Sequence, residues 1–385
     1  MDKNKTNVPK IRFPGFTDPW KQRKFRNMYE KVSEKNDLSY SKDKIISVAN
    51  MYFKSNVYIS DKEYLRTYNI FKLGDIAFEG NKSKDFAHGR FVENSIGDGI
   101  VSHVFNVFRP IMEFDLMFWK YAINNEYLMR NVLIRCTKSS TMMTNLVTND
   151  FLEESFQVPC IEEQKKVGTF FKELDNLITL HQRKLNHLKD KKKGLLQKMF
   201  PKNGEAFPQL RFPGFTDPWE QRKLGEICEE FQSGKNIKAE DIKENGAYPV
   251  YGANGFRGYS DTYNHDGIYA LIGRQGALCG NMNISSGKAY FTEHAIAVRA
   301  NKSSETRFLF YLLGNMNLGQ YSGQSAQPGL AVNKLLELSS SVPNYDEQKQ
   351  ISEFFVLIDH LITLHQRKLN HLQEQKKSLL QQMFV

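Results

Sequence analysis

The sequence predicts a mixed α/β (α+β) chain: two domains of one fold, separated by an antiparallel coiled coil of two long helices and related by a pseudo-twofold internal repeat. Three observations lead there. A short segment recurs unchanged, a long helical segment recurs nearly unchanged, and the two blocks between them carry their elements in one order.

The short segment is RFPGFTDPW, residues 12–20, which returns as residues 211–219; Gln22, Arg23 and Lys24 return as Gln221, Arg222 and Lys223. The long segment, residues 161–200, returns as residues 345–384, and residues 177–188 are identical to residues 361–372. An identity of that length does not arise by chance, so the chain is two copies of one unit: short motif, variable domain, long helix. The predicted boundaries are residues 1–160 for the first motif and domain and 161–200 for the first long helix. Residues 201–344 then hold a linker, the second motif and the second domain, and residues 345–385 the second long helix.

The two blocks differ in length and sequence, yet GDIAF (residues 74–78) parallels GIYALIG (267–273), and GIVSHVFNVFRP (99–110) parallels AYFTEHAIAVRA (289–300). These β-branched and aromatic runs read as strands. A helical stretch follows each, over residues 115–124 and 305–315. The blocks close alike, residues 146–149 against 330–333, then Val158-Pro159 against Val342-Pro343.

In the first long helix an unbroken 4-3 spacing runs through Val167, Phe171, Leu174, Ile178, His181, Leu185, Leu188, Lys192, Leu195 and Met199. The second gives Ile351, Phe355, Ile358, Ile362, His365, Leu369, Leu372, Lys376, Leu379 and Met383. That period is the seam of a coiled coil, and a helix of about 37 residues spans about 55 Å, the length of a spacer. A pseudo-twofold relation pairs the two helices antiparallel and brings Val385 near Lys10. The polar seam residues His181, Lys192, His365 and Lys376 read as register markers, or as lysines snorkelling near helix ends, rather than as proton or metal sites.

Composition bounds the function. The chain carries 53 Lys and Arg against 43 Asp and Glu, a net charge of +10. Half of that surplus, 10 basic against 5 acidic groups, lies in residues 161–200, so charge by itself supports nucleic-acid binding only weakly. No apolar run reaches the roughly 20 residues that span a bilayer, and the first residues lack the apolar run of a signal peptide, so a cytoplasmic protein without a membrane partner is expected. Cys136, Cys160, Cys228 and Cys279 form no CxxC pair and read as reduced core thiols. There is no GxxxxGK[ST] loop, no GxGxxG, and no Asn-Pro-Pro-aromatic or Asp-Pro-Pro-aromatic tetrapeptide. The triplets Glu163-Gln164-Lys165 and Glu347-Gln348-Lys349 resemble part of a nuclease site, but acidic residues at a helix start are favoured by the helix dipole. No catalytic and no metal-ligating residues are assigned.

Base reading needs hydrogen-bonding side chains on loops that enter a groove. In the first block, residues 81–90 offer Asn81, Lys82, Ser83, Lys84, His88 and Arg90, and residues 138–145 offer Lys138, Ser139, Ser140, Thr141 and Asn145. In the second block, residues 251–259 offer Tyr251, Asn254, Arg257 and Tyr259. Residues 273–276 add Arg274 and Gln275, and residues 323–329 add Gln324, Ser325 and Gln327. Each stretch also reads as an ordinary turn.

Two unlike domains, each followed by a P-x-x-x-E-Q stretch leading into a long helix (residues 159–164 and 343–348), resemble the specificity subunit of type I restriction-modification enzymes. The resemblance covers nearly the whole chain. It implies two target-recognition domains, each reading one half of a split, asymmetric site in double-stranded DNA. It further implies helices that space the readers and dock two methyltransferase (modification) subunits, and a restriction subunit, an ATP-dependent translocase and nuclease, that can join. S-adenosylmethionine, ATP and Mg2+ are then expected on the partners and no cofactor on this chain. Identity extends to off-seam Gln182, Arg183 and Lys184, repeated as Gln366, Arg367 and Lys368. A shared partner surface and a recent duplication explain this equally. The competing reading is a coiled-coil scaffold that joins two protein-binding domains without DNA.

Overall fold

A computed structural model describes residues 7–59, 61–139, 143–202, 204–323 and 329–385. The chain divides into two compact units, residues 1–182 with 367–385, and residues 183–366. The division cuts both long helices, Ile161–Met199 and Tyr345–Gln382, so each unit holds the start of one and the end of the other. The boundaries read from the sequence follow secondary structure; the units follow packing, because the apolar face of each helix is buried in a domain core.

In the first unit a four-stranded antiparallel sheet runs in the order Tyr29–Val32, Val107–Pro110, Ile76–Glu79, Arg90–Glu93. In the second unit Cys228–Ser233, Ala295–Ala300, His265–Gly273 and Met282–Phe291 take the same order, extended by the hairpin Tyr248–Gly252 and Gly255–Ser260. Each long β-rich run is interrupted by one tight turn, Phe105 N donating to Ser102 O at 3.1 Å and Ala295 N to Thr292 O at 2.9 Å. Helix Leu116–Ile123 is N-capped by Asp115, whose carboxylate accepts from Phe118 N at 2.8 Å, and helix Thr306–Asn315 by Glu305, which accepts from Phe308 N at 2.6 Å. Such caps satisfy amides that the first helical turn leaves unpaired. The first domain adds helix Glu126–Cys136 where the second has the short turn Leu318–Tyr321.

The repeated segments build one core twice. In the first unit the ring of Phe384, at the end of the second long helix, lies 6.1 Å from Trp20, 5.4 Å from Phe118 and 6.0 Å from Phe171. In the second unit Phe200 lies 6.0 Å from Trp219, 5.6 Å from Phe308 and 6.3 Å from Phe355. The motif docks on the helix end the same way in both, Ile11 N donating to Gln382 O at 3.0 Å and Leu210 N to Lys198 O at 2.8 Å. Its strand then pairs antiparallel with the strand that precedes the long helix, Lys21–Lys24 with Ser155–Val158 and Glu220–Lys223 with Ser339–Val342.

All twenty seam positions are buried or half-buried, whereas Leu177, Leu180, Leu361 and Leu364 are exposed. Within the first unit Asp175 meets Lys376 at 2.6 Å and Phe171 meets Phe384; within the second, Lys192 meets Asp359 at 2.6 Å and Phe200 meets Phe355. In each unit the helix segments therefore run antiparallel. The seam lysines, read from sequence as register markers or snorkelling side chains, form interhelical ion pairs. Each aspartate also accepts from a tyrosine, Tyr121 OH at 2.7 Å and Tyr311 OH at 2.8 Å. Desolvation and the neighbouring carboxylate push both phenols up. His181 and His365 are half-buried in the seam.

All four cysteines are free, and Cys160 is exposed, so it is no core thiol; it follows Pro159 at the mouth of a helix where the chain faces outward. Burial pushes the Cys136 and Cys228 thiols up to about 12.

Candidate nucleic-acid interface

In the first domain the two candidate stretches converge where strand Ile76–Glu79 ends. Gly80 O accepts from Thr144 N at 2.8 Å and from Thr144 Oγ1 at 2.9 Å. Asn81 bridges to Met143, and Lys82 Nζ donates to Ser139 Oγ at 2.5 Å. Gly80 is required there, since a Cβ would collide with the Thr144 carbonyl. The described ends of the stretch 138–145, read as a loop, are strand instead: Thr137–Ser139 and Thr144–Leu146 form an antiparallel pair. Lys138 and Asn145 face each other across it, both exposed. Ser140 and Thr141 lie outside the described residues.

Lys82, Ser83 and Lys84 are exposed, with Ser83 Oγ accepting from Phe86 N at 3.1 Å, and His88 is half-buried. Arg90 is on a strand rather than a loop. Its guanidinium donates to Glu79 Oε2 at 2.8 Å and Ala49 O at 2.6 Å and lies over the Phe86 ring at 4.7 Å, so it braces the stretch from behind.

The second domain converges at the matching strand end. Gly273 donates to Asn281 O at 2.8 Å, and a Cβ there would stand 2.6 Å from the Ala253 carbonyl, so the hairpin turn is packed directly on it. Arg274 O accepts from Leu330 N at 2.9 Å, as Gly80 O accepts from Thr144 N, and Gln275 bridges to Gly329 as Asn81 bridges to Met143. Asn81 and Gln275 thus hold one place in the two domains. Residues 251–259 are the two strands of a hairpin about Ala253 and Asn254, not a loop, because the alternating aromatics pair across it. Tyr251 and Tyr259 are half-buried, each ring packed against Phe256 at 6.2 and 5.1 Å, while Asn254, Arg257 and Gln275 are exposed and Arg274 half-buried. Gln324, Ser325 and Gln327 lie outside the described residues.

Sequence reasoning missed Glu293 and His294 at this end. His294 Nδ1 lies 3.0 Å from Gln275 Oε1, its Nε2 lies 3.2 Å from Glu293 Oε1, and its carbonyl accepts from Arg274 N at 2.9 Å. The signal was present: Thr-Glu-His interrupts an apolar run at the turn where Ser-His-Val interrupts the other.

The repeated segments form a different kind of site, also twice. Arg12 clamps Glu163 with Nε to Oε1 at 2.7 Å and Nη2 to Oε2 at 2.8 Å; Arg211 clamps Glu347 at 2.7 and 2.7 Å. Both glutamates are buried, so the Glu-x-Lys triplets are structural: the acid is clamped as well as placed at a helix start. Gln164 accepts from Asp115 N at 3.1 Å and Gln348 from Glu305 N at 3.0 Å, which ties each long helix to the cap of its domain's helix. Beside each clamp lies a concavity, about 430 Å³ lined by Arg12, Asp18, Arg23 and Pro159, and about 560 Å³ lined by Arg211, Asp217, Arg222 and Pro343. Gln182, Arg183, Lys184, Arg367 and Lys368 are exposed on the long helices and Gln366 is half-buried, so off-seam identity does coincide with largely exposed surface.

Among the described residues no cluster of His, Cys, Asp and Glu could hold a metal ion, and no helix is long and apolar enough to cross a membrane.

Against known proteins, the model of the type I restriction modification DNA specificity domain matches twice, over residues 18–190 and 216–374. The Escherichia coli type I restriction enzyme EcoprrI specificity subunit is 43% identical over 145 residues, 37% of this chain and 36% of that protein. The MjaVIII specificity subunit of Methanocaldococcus jannaschii is 26% identical over 276 residues, 63% of this chain and 65% of its own length. The chain thus spans about a third of the first relative and just under two thirds of the second. In structure it is similar to a type I restriction-modification S subunit from M. genitalium, with a TM-score of 0.68 at 16% identity, covering 98% of this chain and 99% of that one. A two-fold match to one domain model over most of the sequence, on a fold built twice from the same repeated segments, means that the chain belongs to the type I restriction-modification DNA specificity family.

Proposed function

We propose that this chain is the DNA sequence-recognition subunit of a type I restriction-modification complex, each domain reading one half of a bipartite, asymmetric target. The observation that carries this is the convergence, at one strand end in each of two domains of the same fold, of exposed hydrogen-bonding and cationic side chains that differ between the domains. One scaffold with two unlike tips reads two unlike half-sites. The unbroken 4-3 seam supports helices that set the spacing between half-sites. Two like surfaces, the clamp concavities and the exposed Leu177, Leu180, Leu361 and Leu364, suit two copies of one partner, the modification subunit. The chain itself is not catalytic and works in the cytoplasm; S-adenosylmethionine, ATP and Mg2+ belong to the modification and restriction subunits.

Methylome sequencing of a host with and without the gene tests it. A bipartite methylated motif that disappears with the gene is expected. With an intact methyltransferase present, an unchanged methylome, together with no salt-dependent duplex binding by the purified complex, points to the scaffold reading instead.

A further inference from the structure

We propose that His294 sets the hydrogen-bonding sense of Gln275 and is thereby a positioning residue for base reading by the second domain; this rests on the reading that the 273–276 stretch faces DNA. The backbone on both sides is fixed. Arg274 N is bound to the His294 carbonyl at 2.9 Å, the Arg274 carbonyl accepts from Leu330 N at 2.9 Å, and Gln275 is bridged to Gly329. What is left undetermined by the backbone is the rotation of one exposed amide. A glutamine amide offers two donors at one end and an acceptor at the other, and either end can face a base edge.

The imidazole decides which. Its Nδ1 lies 3.0 Å from Gln275 Oε1 and its Nε2 lies 3.2 Å from Glu293 Oε1; the imidazolium donates to both oxygens, and the neutral tautomer that carries its proton on Nδ1 donates to the amide carbonyl. Gln275 Oε1 is turned inward and its NH2 outward. An outward NH2 matches the acceptors of the major groove, N7 and O6 of guanine, N7 of adenine and O4 of thymine, and rejects the N4 donor of cytosine. Val104 holds the corresponding turn position in the first domain and has no polar side chain; there the Asn81 amide donates instead to Glu79 Oε1 at 3.3 Å.

The test uses the full chain co-purified with the methyltransferase subunits of its host, and selection from a pool of duplexes with randomised cores. His294→Ala should relax discrimination against cytosine at one position of the second half-site by about tenfold. His294→Asn, which can still present an N–H, should keep the original base. His294→Asp, an acceptor, should draw the NH2 inward and shift that position towards cytosine or the N6 edge of adenine. Thermal melts check that each variant is folded, and the first half-site must stay unchanged in all of them. If Gln275→Ala alters the motif while the Ala and Asp variants at 294 do not, the positioning role is wrong and DNA reading by this stretch stands. An unchanged motif in Gln275→Ala also overturns the inference. If replacing the whole block 225–344 leaves the motif unchanged as well, the proposed function fails.

Discussion

Removing the carboxylate of Glu163 should open the first unit selectively. Its side chain is 1% exposed and accepts three hydrogen bonds, from Arg12 Nε and Nη2 and from Trp20 Nε1 at 3.2 Å. Glu163→Ala strands the Arg12 guanidinium, itself only 11% exposed, and breaking one side of a buried pair costs about 3–5 kcal/mol. The duplicate provides an internal control. Glu347 is 0% exposed but holds two bonds from Arg211, and Trp219 Nε1 has no acceptor among the described residues. Glu347→Ala should therefore cost about 1 kcal/mol less, the worth of one hydrogen bond. Native-state hydrogen exchange, followed separately over residues 12–24 and 211–223, reads the opening free energy of each unit. Replacing both partners, Arg12→Leu with Glu163→Leu, should recover most of the loss, because no charge is left buried. A loss under about 1 kcal/mol for Glu163→Ala, or a double variant no better than the single, would show that the clamp does not hold the motif on the helix.

Three more outcomes follow from the same structure. Glu93 is buried with neither carboxylate oxygen partnered among the described residues, and burial raises its pKa well above the usual range. The folded chain thus keeps a proton that the unfolded chain releases near about pH 4.3, and stability falls as pH rises from there to the folded pKa. Glu93→Gln should raise the melting temperature more at pH 8 than at pH 5, and an equal effect at both would refute this. In the seam, Phe171→Ala should cost about 3–5 kcal/mol by urea denaturation, since Phe171 is 0% exposed. Leu180→Ala, at 45% exposure, should cost under about 0.5 kcal/mol, and the reverse ranking would place the wrong face inward. Exchanging residues 26–158 for the block of a relative should change one half of the methylated motif and leave the other intact, as methylome sequencing would show; change in both halves would mean the domains do not read independently.

The repeat by itself determined the order of elements, the seam and the family resemblance, because these are periodic or local: an apolar residue every three or four positions buries one helix face in any context. It also singled out Arg12 and Glu163 as members of repeated motifs, without pairing them. Only the tertiary structure joined them, since 151 residues separate the two and no local rule links an arginine to a glutamate that far away. The same holds for Lys192 with Asp359, a seam exception in sequence and an ion pair in space. At the candidate interface the sequence found Asn81 and Gln275, but not that they hold one place in two domains, nor that Arg90 faces backwards onto Glu79. His294 was hidden inside a run read as a strand. Its role depends on a tight turn that brings it against a residue 19 positions earlier, and that proximity is set by strand pairing, which sequence pattern constrains only loosely.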